Sequence, residues 1–178
     1  MKDKVSRINN EFYKNFPEIY LKPSKVNKFL KKYTNEVEKE IKNKFLKLEL
    51  DKNFVIYANG GFGRKEIFPI SDIDISIVEK NKPKDFKHLE EFISFLWDQG
   101  YKVGHSVRTI SDIKKISKSD LKEFTSYLTR RPIVSTNEMD KKINYALSTL
   151  WTKNNFYNAK YIEPVSYTHL RAHETERN

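Results

Sequence analysis

The sequence predicts an α+β fold in which a small mixed sheet is flanked by helices. Three observations carry this expectation. Phe54 to Ala58 is an unbroken apolar run that ends at a glycine turn. A second strand pattern runs to Glu79 and begins with Asp72 and Asp74, and a third, Tyr101 to Thr109, alternates apolar and polar residues. Around these strands, apolar residues recur at three- and four-residue steps, the period of a helix with one buried face.

Taken in order, residues 1–23 contain Pro17 and Pro23 and predict a short helix and a turn. Ser24 then stands as N-cap before a stripe of Val26, Phe29, Leu30, Tyr33, Val37, Ile41 and Phe45, a long helix whose apolar face packs on the sheet. The run from Phe54 to Ala58 is apolar throughout, which suits a central strand covered on both faces. Gly60, Gly61 and Gly63 follow, three of the chain's five glycines. Lacking a Cβ, they let the backbone approach a phosphate closely. Arg64 and Glu66 fall on a short helical turn leading to Pro69, where Arg64 either reaches a phosphate or pairs with a neighbouring acid.

In the second strand Asp72 and Asp74 share one face, while Ile73, Ile75 and Ile77 share the other. Ser71 either orients Asp72 or simply starts the strand. Asn81 to Lys84 is turn chemistry. Phe86, Leu89, Phe92, Ile93 and Leu96 make a helix running to Trp97, which Gly100 ends at C′. In the third strand His105 sits among apolar neighbours, predicting a hydrogen-bonded structural role. Arg108 falls on the Ser106 face, where it is a candidate to neutralise phosphate charge. Ser111 and Asp112 read as a helix cap and first turn, Leu121, Phe124, Thr125 and Leu128 as a helix before Pro132, and Ser135 with Glu138 as a capping box for a helix bearing Met139, Ile143, Leu147, Leu150 and Trp151. The divisions expected are a helical segment over 1–50, a core over 51–135, a helical extension over 136–163 and a tail over 164–178.

Two carboxylates at i, i+2 on a strand lie roughly 6.5 Å apart and repel by about 2 to 3 kcal/mol at an effective dielectric near 20. A divalent cation removes that penalty. Mg²⁺ suits the pair, because it takes one or two carboxylates from a protein and fills its other positions with water and phosphate oxygens. The substrate so implied is a nucleotide or another polyphosphate.

Composition narrows the remaining classes. With no cysteine the chain forms neither disulfides nor thiolate metal sites. No run of 18 apolar residues occurs, and residues 1–16 have no apolar leader core, so a cytoplasmic protein without a membrane partner is expected. The formal net charge is +10. Residues 1–50 hold thirteen Lys/Arg against seven Asp/Glu, which places +6 of that charge on a helix also rich in glutamate. This reads as a solvated face, and nucleic acid is not expected as a partner.

The stretches GGFGRKEIFPISDID, Gly60 to Asp74, and FLWDQGYKVGHSVRT, Phe95 to Thr109, resemble nucleotidyltransferases of the DNA polymerase β type, and more narrowly the amino-terminal catalytic domain of bacterial PII uridylyltransferases. The likeness continues through DLKEFTSYLTRRPI, where Arg131 matches a family arginine, to FYNAKYIE. It implies a polymerase-β-type fold and Mg²⁺-dependent transfer of UMP from UTP to a tyrosine of the PII signalling protein, with release of pyrophosphate. It further implies Asp72 and Asp74 as catalytic residues and metal ligands, with Gly60, Gly61, Ser71, Arg64 and Arg108 binding the nucleotide. Nucleotidyl transfer to another small molecule or RNA, and a catalytically silent nucleotide-binding module, stay open beside it.

Three departures stand out against that family. Lys65 replaces a frequent glycine, Thr129 a frequent glutamate, and VGHSVRT lacks the third carboxylate common in the superfamily. The hydrolase and sensor domains that follow in the family are absent, which reads as truncation. SYTHLRAHET, Ser166 to Thr175, resembles translated sequencing-adapter read-through, and a non-native or disordered tail is expected from residue 164.

Overall fold

The long apolar stripe forms α1 (Pro23–Lys47), which buries Leu30, Tyr33, Val37, Ile41 and Phe45. The computed structural model describes residues 22–83 and 86–161, together with 10 and 14. The elements expected over 1–21, and the tail, lie outside the described residues. Ser24 is not the cap of α1. Lys22 holds that position without a side-chain bond, and Pro23 supplies the pre-set φ of the first helical residue.

After a 3₁₀ turn at Leu50–Lys52 come β1 (Phe54–Ala58), the four-residue helix α2 (Gly60–Gly63), β2 (Ile73–Glu79), α3 (Lys87–Asp98) and β3 (Val103–Arg108). Then follow α4 (Ile110–Ser119), α5 (Leu121–Leu128), β4 (Arg131–Val134) and α6 (Asn137–Ser148). Residues 153–161 are helical. Gly100 ends α3 with φ +82°, as expected of a C′ glycine. Among the described residues no helix is long and apolar enough to cross a membrane.

The sheet is mixed, with strand order β3-β2-β1-β4. β1 is antiparallel to both β2 and β4, and β2 is parallel to β3. The fourth strand corrects the sequence reading, which extended helical pattern up to Pro132. Arg131–Val134 is only four residues long, and its proline is tolerated because the strand is an edge.

Alternation along β1 builds two cores, and all five of its residues are buried. Phe54, Ile56 and Ala58 join Ile73, Ile75 and Ile77 under α1 and α3. Val55, Tyr57 and Val78 face the other way, into Ile113, Phe124, Tyr127, Met139, Ile143 and Leu147 of α4 to α6. On this second face the strand register makes three cross-sheet rows: Asn59, Asp74 and Gly104; Tyr57, Ser76 and Ser106; Val55, Val78 and Arg108. The helices cover the last row, and the first lies open.

Two further caps differ from expectation. Thr109, not Ser111, caps α4, in a reciprocal box with Asp112. Thr136 caps α6, while Ser135 bonds instead to the Tyr57 hydroxyl (2.7 Å) and Asp140 (2.8 Å). His105 also departs from its expected structural role. β3 is an edge strand, its face is half covered, and the exposed imidazole meets the Trp97 ring edge-on at 6.0 Å, with no side-chain hydrogen-bond partner among the described residues.

Candidate active site

Asp74 stands at the open row, and two glycines shape its seat. Gly60 adopts φ +52°, a conformation that L side chains rarely take, and a Cβ there would lie 3.1 Å from Asp74 Oδ2. Across the sheet Gly104 pairs with Asp74 in register, and a Cβ there would come within 2.5 Å of Oδ1. The carboxylate therefore occupies space left by two missing side chains. Asp74 is exposed as a residue, but partial desolvation of its carboxylate pushes its pKa above the ordinary range, and the neighbouring Asp72 carboxylate pushes it further. Among the described residues neither side chain has an ion-pair partner.

The other expected residues are distributed around this seat. Asp72 is exposed, one residue before β2 and on the Asp74 face. Ser71 closes the turn before the strand, its hydroxyl accepting from Phe68 N–H (3.2 Å). Arg64 is exposed and pairs with Glu66 (3.0 Å), the second of the two readings its sequence left open. Gly61 is half-buried, and a Cβ there would meet only ordinary contacts. Arg108 lies in the covered row, four residues or about 13 Å along the sheet from Asp74. Both of its terminal nitrogens bond Glu123 on α5, and this partnership raises its pKa above the usual arginine value. Asp72, Asp74 and Gly60 are thus brought together, and Arg108 is held apart from them.

A cleft of about 540 Å³ opens beside Asp74, within the usual size range for small-molecule sites. Asn59, Gly60, Asp74 and Ser76 form its floor, with Gly104 and Ser106 from β3. Its opposite wall is α5, through Lys122, Thr125, Ser126 and Thr129. Sequence reasoning missed this wall, although the signal was present: those four polar residues, the last of them the C-cap, stand at i, i+3, i+4 and i+7, a polar stripe on a helix whose Phe124 and Tyr127 are buried. Gly104 carries a second signal, because a glycine inside a strand marks close approach of a neighbour.

Arg131 on β4 secures the glycine turn from behind. Its Nε donates to Gly63 O (2.8 Å) and its Nη2 to Phe62 O (3.2 Å). Nη2 also lies 2.8 Å from Glu38 Oε2 of α1, an ion pair by distance. Gly63 must itself be glycine, since a Cβ would meet Ala58 O at 2.9 Å. Lys65, just beyond, takes φ +63°, which explains why a glycine suits that position.

No protein-family model matches the sequence. Individual proteins do. Over 132 residues, 69% of the chain, it is 35% identical to the bifunctional uridylyltransferase/uridylyl-removing enzyme of Haemophilus influenzae (strain PittEE). Over 138 residues, 75% of the chain, it is 33% identical to that of Aliivibrio fischeri (strain MJ11). Its sequence relatives are uridylyltransferases. The chain spans 15% and 16% of the length of these two enzymes. Among solved structures, 76% of the chain overlaps 93% of a toxin-antitoxin chain crystallised with AMP-PNP, at 17% identity and a TM-score of 0.41, a loose likeness.

The absence of a carboxylate from β3 has a local explanation. Gly104 is the β3 residue that faces Asp74, and no side chain fits there without displacing Oδ1. Among the described residues no group of three or more His, Cys, Asp and Glu is placed to hold a metal. Asp72 and Asp74 alone fit Mg²⁺, which needs only one or two protein carboxylates and completes its shell with water and phosphate. Two carboxylates side by side without an ion-pair partner among the described residues are the donor chemistry such a cation would relieve.

Proposed function

We propose that this chain is a nucleotidyltransferase that moves UMP from UTP to a tyrosyl hydroxyl of the PII signalling protein and releases pyrophosphate. The observation that carries the proposal is the Asp74 carboxylate seated between Gly60 and Gly104 at the mouth of the cleft, with Asp72 beside it on the same strand face. The resemblance to uridylyltransferases supports the choice of UTP and PII.

In this reading Asp72 and Asp74 hold Mg²⁺, which when bound draws charge from the phosphate oxygens. Gly60 and Gly61 keep the backbone bare, so the triphosphate reaches the turn without a side chain in its path. Arg131 fixes that turn by holding the carbonyls of Phe62 and Gly63, and Lys122 with the α5 hydroxyls borders the phosphates from the opposite wall. Asp74 takes the tyrosyl proton as the oxygen attacks the α-phosphorus and the bond to pyrophosphate breaks.

The test incubates the chain with each α-labelled nucleoside triphosphate, Mg²⁺ and purified PII. Label appearing on PII from UTP alone, and disappearing in Asp72→Asn and Asp74→Asn, is the expected outcome. Full transfer by either variant would contradict the assignment, and label appearing on another acceptor would redirect it.

A further inference from the structure

The inner wall of the cleft carries a buried polar pair to which nucleotidyl transfer assigns no task. Asn59 is 6% exposed and Ser76 3%, and both line the cleft. Asn59 Nδ2 donates to Ser76 Oγ. Among the described residues Asn59 Oδ1 is buried with no hydrogen-bond partner. A serine hydroxyl that accepts one bond still has its own proton to give. An unmet acceptor and an unspent donor therefore sit side by side in the wall of a ligand-sized cleft. Buried side-chain oxygens without a partner are exceptional in folded proteins, and each asks for one.

The chemistry of the missing partner follows from the pair. A phosphate oxygen only accepts and would be repelled by Oδ1, while an ammonium only donates and would leave the Ser76 proton unused. A hydroxyl does both through one atom. The place fits as well: Ser76 lies two residues along the strand from Asp74, about 6.6 Å, so a group bound there is set back from the phosphates by roughly the depth of a sugar ring. Resting on the nucleotidyl-transfer reading, we infer that Asn59 and Ser76 form a hydroxyl-binding pair. It takes either a sugar hydroxyl of the bound nucleotide or the hydroxyl that receives the nucleotidyl group.

The test compares the unmutated chain with Asn59→Leu/Ser76→Ala, which removes both polar partners together and so leaves neither buried group orphaned. Circular dichroism and thermal melting confirm the fold. Affinities are measured for UTP, 2′-deoxy-UTP and 3′-deoxy-UTP with Mg²⁺, and transfer to PII is followed at varied acceptor concentration. If the sugar is bound, the unmutated chain prefers UTP over one deoxy analogue by about tenfold, and the double variant loses that preference. If the acceptor is bound, all three nucleotides bind both proteins alike while KM for PII rises about tenfold in the variant.

A variant that matches the unmutated chain in both measurements overturns the pair and leaves nucleotidyl transfer standing. An unmutated chain that binds no nucleoside triphosphate overturns both. Should the double variant fail to fold, Ser76→Ala and the analogue series on the unmutated chain make the same comparison.

Discussion

At Gly104 a single methyl group separates stability from catalysis. The atom a new Cβ would strike is the far end of the Asp74 side chain, which rotates away at little cost. Gly104→Ala should therefore melt within about 1 kcal/mol of the unmutated chain, yet lose about 100-fold in transfer, because displacement near 1 Å costs that much at a reacting centre. A thermal melt and a rate assay on the same preparation check the split. Asp74→Asn should behave oppositely to an ordinary core substitution. Burial and Asp72 raise the folded-state pKa, so between the ordinary carboxylate value and the raised one the folded chain keeps a proton that the unfolded chain has released. The stability this group contributes falls as pH rises through that window and stays low above it. Removing the charge should raise the metal-free melting temperature at pH 7 while abolishing transfer. Lys65→Gly relieves a left-handed residue at φ +63° and should stabilise the chain by about 0.5 to 1 kcal/mol in urea unfolding. The pair of aspartates was legible because strand alternation needs only i, i+2 spacing. The seat around Asp74 was not, since the approach of Gly104 depends on which strands pair.

The elements that position the site come from distant parts of the chain. β4 brings Arg131 to the back of α2, and the same guanidinium reaches Glu38 on α1. The glycine turn is thereby tied to both an edge strand and the long amino-terminal helix. Arg131→Ala should cost about 2 to 4 kcal/mol in urea unfolding, the usual loss when a partly buried charged hydrogen-bonding partner is removed. Arg131→Lys should recover only part of this, because an ammonium does not reproduce the guanidinium fork. α1, α3 and β1 to β3 were legible from periodicity alone, as was the Gly100 stop. β4 was hidden by its length and by Pro132, and α4's cap was misplaced by two residues because Ser111 and Thr109 offer the same hydroxyl chemistry. Arg108 looked like a phosphate ligand because strand parity puts it on the Asp74 face. Parity does not report that α5 covers that end of the face and supplies Glu123.

At the scale of the whole molecule, one sheet separates two cores that do different work. α1 and α3 bury the β1 and β2 part of one face, while α4 to α6 cover only part of the other and leave the Asp74 row open to a cleft. The arrangement follows from β2 itself, whose inward face carries Ile73, Ile75 and Ile77 and whose other face changes from aspartate through serine to valine. That change from polar to apolar marks where the helices stop and the cleft begins. A chain whose active cleft depends on paired carboxylates should bind nucleotide only when a divalent cation is present, with linked stabilisation of about 2.7 kcal/mol at a ligand concentration one hundred times Kd. The most direct measurement is calorimetric titration of UTP into the chain with Mg²⁺, with EDTA, and into Asp72→Asn/Asp74→Asn with Mg²⁺. Binding in the first case alone is the expected result; equal binding in all three would contradict the role given to the two carboxylates.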